Sequence, residues 1–493
     1  MMQPLFYVAG LIISWLVATR ARPTGLKQTL LLLLSYLLYA SWGIWFLGTL
    51  IGSSLLNYAL GSYIRRKPTA GRLWVGVLLN LALLSLYKYL PPLAGAVAAD
   101  SQISKDLALL LQPVGLSFWT FQALSYLFDL YREEELDPSL LEFCLYMALW
   151  PTVLSGPICR LPKMLPQFRQ PAPPSWSDVR EGFRRMSIGI LMVGLAQLLG
   201  SGLRPGEGIN AGFDHLPFNG GAGDVWLLLI GFGFLLFLDF AGYSHLAIGA
   251  ACLLGLRLEE NFHRPYLSTT PSMFWTRWHM SLSFWIRDYL FLPLATIRRD
   301  GWWRHLSLVI SMIIFGLWHK GTLLLLLWGT YHGLLLVIHR WWQQIQRRWE
   351  WRWSPLFATP VSWLVTFAVV NIGWIFFRAV NLPQASSMIR TLLSPADYTR
   401  RVLPASLYVL IATTVGGYFF VLLVSWALDQ VPRTLTETPK PSRSVRLFRG
   451  AAQFLALDRW AWVAPLMVAV SLYVFANLLF QRTAASRFIY MLF

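Results

Sequence analysis

Charged side chains are scarce in this chain of 493 residues. Asp, Glu, Lys and Arg make up only 13% of the sequence, about half of their share in an ordinary soluble domain. Hydrophobic residues make up 56%. This composition excludes an ordinary soluble globular protein and predicts an all-α integral membrane protein. The lipid bilayer is therefore its first expected partner.

Cysteine is almost absent, with Cys144, Cys159 and Cys252 alone in apolar surroundings. Their spacing supports neither a disulfide framework nor a zinc site. The sequence also lacks the G-x-S-x-G, H-E-x-x-H, P-loop and G-x-G-x-x-G motifs. Moreover, none of the eight histidines has an Asp five residues later. A serine nucleophile has no local support, and we expect neither a metal ion nor a bound cofactor.

Long apolar stretches predict about 11 to 13 membrane segments, since one spanning helix needs about 20 apolar residues. Some stretches are too long or too short for one span, so we expect tilted, broken or re-entrant segments. The stretches lie near residues 5–20, 29–50, 72–92, 106–131, 140–157, 183–203, 224–256, 305–317, 322–340, 361–380, 406–428 and 462–481. No internal repeat is evident. This favours a single polytopic domain that spans residues 1–493, with C-terminal helices at about 400–493.

The formal net charge of +18 comes from basic clusters in the predicted loops. By the positive-inside rule these loops are cytoplasmic, whereas the stretch 204–222 is external. We interpret the charge as topology and predict no nucleic-acid partner, although a basic inner face also attracts anionic lipid or an anionic substrate. The main clusters lie at 65–67, 160–169, 180–185, 340–352 and 433–449. In the amino-terminal stretch the charges follow the apolar run, which favours a retained helix.

The stretch "FWTRWHMSLSFWIRDYL" (274–290) combines strong hydropathy with Arg277, His279, Arg287 and Asp288. In a continuous helix, at about 100° per residue, Arg277 and Asp288 share one face and His279 points about 160° away from Arg277. A charge at the bilayer centre costs about 2.5–3.5 kcal/mol. A helix that is polar on two sides is therefore expected to be enclosed by protein or to lie at an interface. The two arginines either hold phosphates of a donor or pair with acids.

Histidines also interrupt the apolar stretch "GLWHKGTLLLLLWGTYHGLLLVIHRWW" (316–342). His339 stands beside Trp and Arg, which is typical of an interfacial anchor. His332 has Gly beside it and fits a structural role better than a catalytic one. His319 lies deep in the apolar zone and is a functional candidate. A neutral imidazole suits proton abstraction from a hydroxyl, yet a buried hydrogen-bonding role is equally consistent.

The sequence resembles the membrane-bound O-acyltransferase family, particularly its bacterial branch of polysaccharide O-acetylation and teichoic-acid D-alanylation proteins. The likeness covers most of 110–380, the family-matching acyltransferase core, and outside it only hydropathy matches. It is carried by "PVGLSFWTFQALSYLFDLYR", "PTVLSGPICR", "DFAGYSHLAIGAACLLGLRLEENFHRPY" with the following "FWTRWHMSLSFWIRDYLFLPL", "GLWHKGTLLLLLWGTYHG" and, more weakly, "NIGWIFFRA".

This resemblance implies a ring of helices around a central chamber that opens to both sides of the membrane. The histidine of the L-W-H motif falls on His319, the implied main catalytic residue. The histidine of the R-W-H motif falls on His279, which is expected to assist it. Candidate residues of the chamber or the substrate site are Trp278, Arg277, Asn261, Lys320, His332 and Asp239.

Two positions depart from the family pattern. Lys320 follows the L-W-H histidine where Gly is usual, and it is expected to narrow the chamber or add a cation. His245 stands in "GYSH" where the family usually has an acid that pairs with a cation. Both departures leave the choice of donor and acceptor open.

The function implied is transfer of an acetyl group from acetyl-CoA, or another acyl thioester, across the membrane toward hydroxyls of an extracytoplasmic polysaccharide. The implied location is the bacterial inner membrane. A separate extracytoplasmic acyltransferase and the polysaccharide synthesis and export machinery are the implied partners. D-Alanyl transfer, with an acyl carrier as donor, and acylation of a lipid or protein are alternatives. A transporter or flippase, with Asp239, Arg277 and the histidines along its path, is an alternative of another class.

Overall fold

The computed structural model describes residues 4–97, 102, 107, 110–204, 206–214, 220–350 and 354–430. Within these residues every regular element is a helix and no strand occurs. Seven of the helices are long and apolar enough to cross a membrane. The expectation of an all-α, multi-pass membrane protein is therefore confirmed.

The helices vary from one turn to more than eight turns, and short ones connect the long ones. In chain order they are α1 (Pro4–Arg20), α2 (Thr24–Ala40), α3 (Ile44–Arg66), α4 (Ala70–Lys88), α5 (Leu90–Val97), α6 (Leu116–Tyr131), α7 (Leu140–Ala148), α8 (Trp150–Val153), α9 (Leu161–Arg169), α10 (Trp176–Ser201), α11 (Ile209–Asp214), α12 (Ala222–Leu253), α13 (Pro271–Trp275), α14 (Met280–Ile286), α15 (Leu292–Thr296), α16 (Gly301–His319), α17 (Leu323–Arg348), α18 (Pro355–Arg378), α19 (Leu382–Leu393) and α20 (Ala405–Gln430).

The seven membrane-spanning candidates are α3, α4, α10, α12, α17, α18 and the Ala405–Val424 part of α20. The predicted total of 11 to 13 segments and the re-entrant geometry stay predictions. The predicted segment at 462–481 lies outside the described residues, as does most of the predicted C-terminal group.

Three predicted stretches are divided or shortened in the structure. Residues 29–50 form parts of α2 and α3, separated by a turn after Ala40. Residues 140–157 form α7 and α8, because Pro151 begins a new helix at Trp150 and supplies no backbone N–H to the helix before it. In 106–131 the long helix begins only at Leu116, after Gly115 with φ +78°.

The described chain divides into two compact units. The first comprises residues 4–186 and 243–379, and it carries all of the family-like motifs except residues 239–242. Within it, a buried amide pair joins α3 to α4, where Asn57 Nδ2 donates to Asn80 Oδ1 over 3.1 Å. Trp285 Nε1 of α14 donates to the Phe121 carbonyl of α6 over 3.0 Å. These bonds satisfy polar groups in an apolar interior, where water does not reach them.

The second unit comprises residues 187–242 and 380–430. Asp224, in the first turn of α12, accepts hydrogen bonds from the backbone N–H groups of Gly221 at 3.0 Å and Val402 at 2.9 Å. It also accepts one from the Tyr408 hydroxyl at 2.5 Å. The Asp224 carboxylate thus caps the first turn of α12 and holds the backbone that leads into α20.

Candidate active site

The stretch 274–290 is a broken chain and not one helix. Short α13 ends at Trp275, and His279 has left-handed backbone angles (φ 43°, ψ 54°) where it begins α14. A π-helical turn follows at Arg287–Phe291. The predicted sharing of one helix face by Arg277 and Asp288 is therefore wrong, because the left-handed residue turns the chain between them. Left-handed backbone is uncommon outside glycine and occurs often at functional sites.

His279 is fully buried, and its ring is held by Asn261. Its Nδ1 lies 3.0 Å from Asn261 Oδ1. The same oxygen accepts hydrogen bonds from the backbone N–H of Ser281 at 3.3 Å and from the Ser281 hydroxyl at 2.9 Å. Asn261 Nδ2 donates to Ser244 Oγ over 3.1 Å. Asn261 thus holds the ring of His279, and its role in a substrate site stays a prediction.

The hydrogen-bond directions in this network follow from two backbone donors. The Ile158 N–H donates to Ser281 Oγ over 3.0 Å, so the Ser281 hydroxyl proton is directed to Asn261. The Ser281 N–H can only donate, which identifies the amide atom that it meets as oxygen. An amide oxygen only accepts. Nδ1 of His279 therefore carries its hydrogen, and in the neutral ring Nε2 has the lone pair.

His319 is the last residue of α16 and is 2% exposed. Its ring packs among aromatic side chains, with ring centroids 4.7 Å away at Trp318, 5.0 Å at Phe315, 5.3 Å at Phe377 and 5.5 Å at Trp328. Trp318, the residue before His319, packs on Phe121, and Phe121 also packs on Trp285 of the segment that carries His279. The structure thus brings the two predicted histidines into one buried region.

The start of α6 is the wall that both histidines share. Phe118 lies beside His279 with ring centroids 6.3 Å apart. Phe121 contacts Trp285 at 4.5 Å and Trp318 at 5.0 Å, so it touches both histidine-bearing segments. The motif "PVGLSFWTF" therefore serves to join the R-W-H and L-W-H segments.

His332 and Trp278 are buried in aromatic packing. His332 of α17 contacts Trp275 at 5.2 Å and Trp328 at 5.0 Å between ring centroids. Trp278 stacks on Phe274 at 5.4 Å with an interplanar angle of 21°. These contacts favour a structural role for both residues, because they pack beside the segments that carry His279 and His319.

The remaining candidates, Arg277, Lys320 and Asp239, differ in burial. Arg277 is half-buried, and among the described residues Asp288 pairs with Arg160 at 2.8 Å and Arg287 at 2.6 Å, not with Arg277. Lys320 is exposed, although it follows His319 directly. Asp239 is buried in the second unit, and its place in the site stays a prediction.

The departure at His245 has a structural explanation. Arg185 reaches His245 Nδ1 at 3.3 Å, and because a guanidinium only donates, that nitrogen accepts. Arg185 also donates to Glu181 at 2.8 Å and to Glu260 Oε2 at 2.9 Å. Glu181 and Glu260 therefore already pair with Arg185, the cation that an acid at position 245 would contact. Glu260 precedes Asn261, so this cluster also anchors the positioning amide.

Sequence reasoning missed Lys88. This residue ends α4 and is 9% exposed. Its Nζ lies 4.7 Å from the Trp318 ring centroid and 3.3 Å from Ser117 Oγ. A lysine within an apolar helix is a sequence signal for function, but the hydropathy of 72–92 by itself predicts only a membrane segment.

The site offers acid–base and hydrogen-bonding groups. Within the described part of the chain, no cluster of three or more His, Cys, Asp or Glu side chains could hold a metal ion. Cys144, Cys159 and Cys252 are buried free thiols. Two imidazoles, one with a fixed Nε2 lone pair, suit proton transfer from a hydroxyl in a place where water is excluded.

Comparison with known proteins gives relatives over nearly the whole chain. A probable alginate O-acetylase of Pseudomonas putida is 32% identical over 480 residues, which are 95% of this chain and 94% of that protein. A peptidoglycan O-acetyltransferase of Helicobacter pylori is 27% identical over 78% of each chain. A teichoic acid D-alanyltransferase of Bacillus subtilis is 28% identical over 54% of this chain and 69% of its own. No protein-family model matches the sequence.

Proposed function

The chain belongs to the membrane-bound O-acyltransferase family, in the bacterial branch that contains the alginate O-acetylases, and we propose that it acetylates hydroxyls destined for an extracytoplasmic polysaccharide. It is an acyltransferase and a multi-pass membrane protein. Acetyl-CoA in the cytosol is the proposed donor. The names of the alginate and peptidoglycan relatives, both O-acetylating enzymes of polymers, support this choice.

The observation that carries the catalytic assignment is the burial of both His279 and His319, on segments that Phe121 joins through Trp285 and Trp318, with His279 fixed by Asn261. His319 is the general base. It takes the proton of the acceptor hydroxyl while the hydroxyl oxygen attacks the thioester carbonyl carbon. His319 then returns the proton to the departing thiolate. His279 accepts a hydrogen bond at Nε2 and so orients the acceptor or the donor.

The proposed setting is the bacterial inner membrane, with the donor on the basic, cytosolic side. A separate extracytoplasmic transferase takes the acetyl group onward to the polymer, beside the machinery for polymer synthesis and export. The basic loops support this orientation. The candidate residues Trp278, Arg277, Asn261, Lys320, His332 and Asp239 remain proposed components of the chamber.

The substitution His319→Ala tests the assignment. We expect the ester content of the surface polymer to fall by about the 10²–10⁴-fold that a general base contributes, with the protein still present in the membrane. His339→Ala is the matched control, because His339 lies on the same hairpin nearer the other end of α17, and it should keep normal ester content. Normal ester content in the His319 variant would reject the catalytic role.

D-Alanyl transfer is the second candidate, since the chain also resembles the D-alanyltransferase of Bacillus subtilis. Membranes supplied with radiolabelled acetyl-CoA separate the two. Release of free CoA together with labelled polymer supports acetyl transfer. If the polymer is labelled only when a carrier protein loaded with labelled D-alanine is supplied, the transferred group is D-alanyl. The acyltransferase assignment then stands.

A further inference from the structure

Lys88 places its side-chain amine beside the segment that carries the proposed catalytic histidine, His319. It ends α4, and its Nζ lies 4.7 Å from the centroid of Trp318, the residue before His319. Ser117 Oγ, on the α6 wall shared by both histidines, lies 3.3 Å from Nζ. Lys88 thus meets the same wall that supports His279 and His319.

The next residue fastens this arrangement to the end of α16. The Tyr89 hydroxyl lies 3.3 Å from the carbonyl oxygens of both Leu317 and Trp318. These carbonyls belong to the last turn of α16, where helical carbonyls lack partners within the helix. Tyr89 therefore fixes the end of α4 to the residues that precede His319.

Burial of an ammonium in an apolar interior is costly, so its retention needs a reason. The Trp318 face and the Ser117 hydroxyl reduce that cost, and the carbonyl end of α16 favours a cation. The same place has a chemical use. Attack of an oxygen on a thioester carbonyl creates negative charge on the carbonyl oxygen, and a donor preorganised for that charge accelerates acyl transfer.

We propose that Lys88 is a catalytic residue whose ammonium binds the acyl carbonyl oxygen of the donor and stabilises the oxyanion. This inference rests on the proposed function. As the acceptor oxygen bonds to the carbonyl carbon, its proton passes to His319 and the carbonyl π electrons move to oxygen. The Lys88 N–H donates to that oxyanion without giving up its proton. When the carbonyl re-forms, the C–S bond breaks and the thiolate takes the proton back from His319.

The experiment measures CoA release from acetyl-CoA by inverted inner-membrane vesicles that contain the full-length protein. The variants are Lys88→Met, which keeps the aliphatic stem and removes the charge, and Lys88→Arg, which keeps a cation. We expect Lys88→Met to lower kcat by roughly 10²–10³-fold, as for loss of one oxyanion donor. The KM for acetyl-CoA should change little, and Lys88→Arg should recover at least part of kcat.

Lys27→Met is the matched control, because Lys27 is a buried lysine in α2, 4% exposed, and it should retain kcat. Extraction as a monodisperse protein shows folding, and Lys88→Gln replaces any variant that fails to extract. A folded Lys88→Met or Lys88→Gln enzyme with normal kcat overturns the inference, as does a large rise in KM alone. If His319→Ala keeps its activity as well, the proposed function fails; if His319→Ala is inactive, only the role of Lys88 fails.

Discussion

At the residue scale, the tautomer of His279 depends on a side chain that is not a histidine. Asn261 offers one oxygen to three donors: His279 Nδ1, the Ser281 backbone N–H and the Ser281 hydroxyl. Because the backbone N–H cannot reverse its role, the amide cannot turn over without losing a bond. The ring is therefore held in one orientation, with Nε2 directed away from Asn261.

Substitution of Asn261 should reduce catalysis more than stability. In Asn261→Ala, Nδ1 of His279 loses its acceptor, and the ring is free to change tautomer or rotate. We expect kcat to fall by about ten- to a hundredfold, less than the full contribution of general acid–base catalysis. CoA release by membrane vesicles measures kcat, and thermal unfolding in detergent measures stability.

Ser244→Ala is the control for that substitution. It removes only the acceptor of Asn261 Nδ2, so the oxygen still meets His279 and kcat should fall clearly less than in Asn261→Ala. Equal losses of kcat in both variants would contradict a specific role for the amide oxygen.

The sequence predicted part of this site. The L-W-H and R-W-H motifs identified His319 and His279, whose burial the structure shows. Lys88 escaped notice because α4 reads as a plain membrane helix, and only the packed chain brings its last residue to Trp318. The prediction that Arg277 and Asp288 share one helix face was wrong, because His279 has left-handed backbone angles and interrupts the helix between them. Such a turn depends on tertiary contacts.

At the element scale, α16 and α17 form the hairpin that presents His319. The two helices approach so closely that a Cβ on Gly329 would lie 2.3 Å from the Met312 carbonyl oxygen, and one on Gly316 2.2 Å from the Leu325 carbonyl oxygen. Small residues permit this approach of two backbones in an apolar medium. The hairpin thus carries His319 at the end of one helix and His332 within the other.

Gly329→Ala should separate the two helices. The added methyl group meets backbone, which cannot move aside as a flexible side chain can, so we expect a loss of about 1–3 kcal/mol in the free energy of unfolding. Activity should fall with it, because His319 ends the displaced helix. The measurement is the midpoint of thermal unfolding in detergent, together with CoA release.

Gly52→Ala provides the comparison within the same unit. A Cβ at Gly52 of α3 meets nothing within 4 Å, so this change should be neutral or slightly stabilising, as alanine is the better helix former. Equal unfolding midpoints for the two variants would contradict the close backbone contact between α16 and α17.

Hydropathy predicted the helices better than their breaks. The long stretches at 183–203, 224–256 and 322–340 correspond to α10, α12 and α17. The division of 140–157 at Pro151 had a visible signal in the proline. The turn between α2 and α3 also had a signal in Ser41 and Gly43, but the apolar residues on both sides made 29–50 resemble one continuous stretch.

At the scale of the whole molecule, the distribution of charge sets the proposed direction of transfer. The stretch at 65–67 and the stretch at 180–185 are basic, whereas 204–222 carries little positive charge. If the basic loops face the cytosol, acetyl-CoA approaches from that side and the acyl group leaves on the other. Sidedness is therefore a direct test of the transport part of the proposal.

Single cysteines in the two kinds of loop should label from opposite sides. Lys67 and Arg204 are both exposed, while the native thiols are buried and give little background. With a membrane-impermeant maleimide, Arg204→Cys should label in intact spheroplasts and Lys67→Cys only in inverted vesicles. The native protein controls for background, and permeabilised membranes control for reactivity at both positions. The reverse pattern would place the basic loops outside, and delivery of the donor from the cytosol would then have no topological basis.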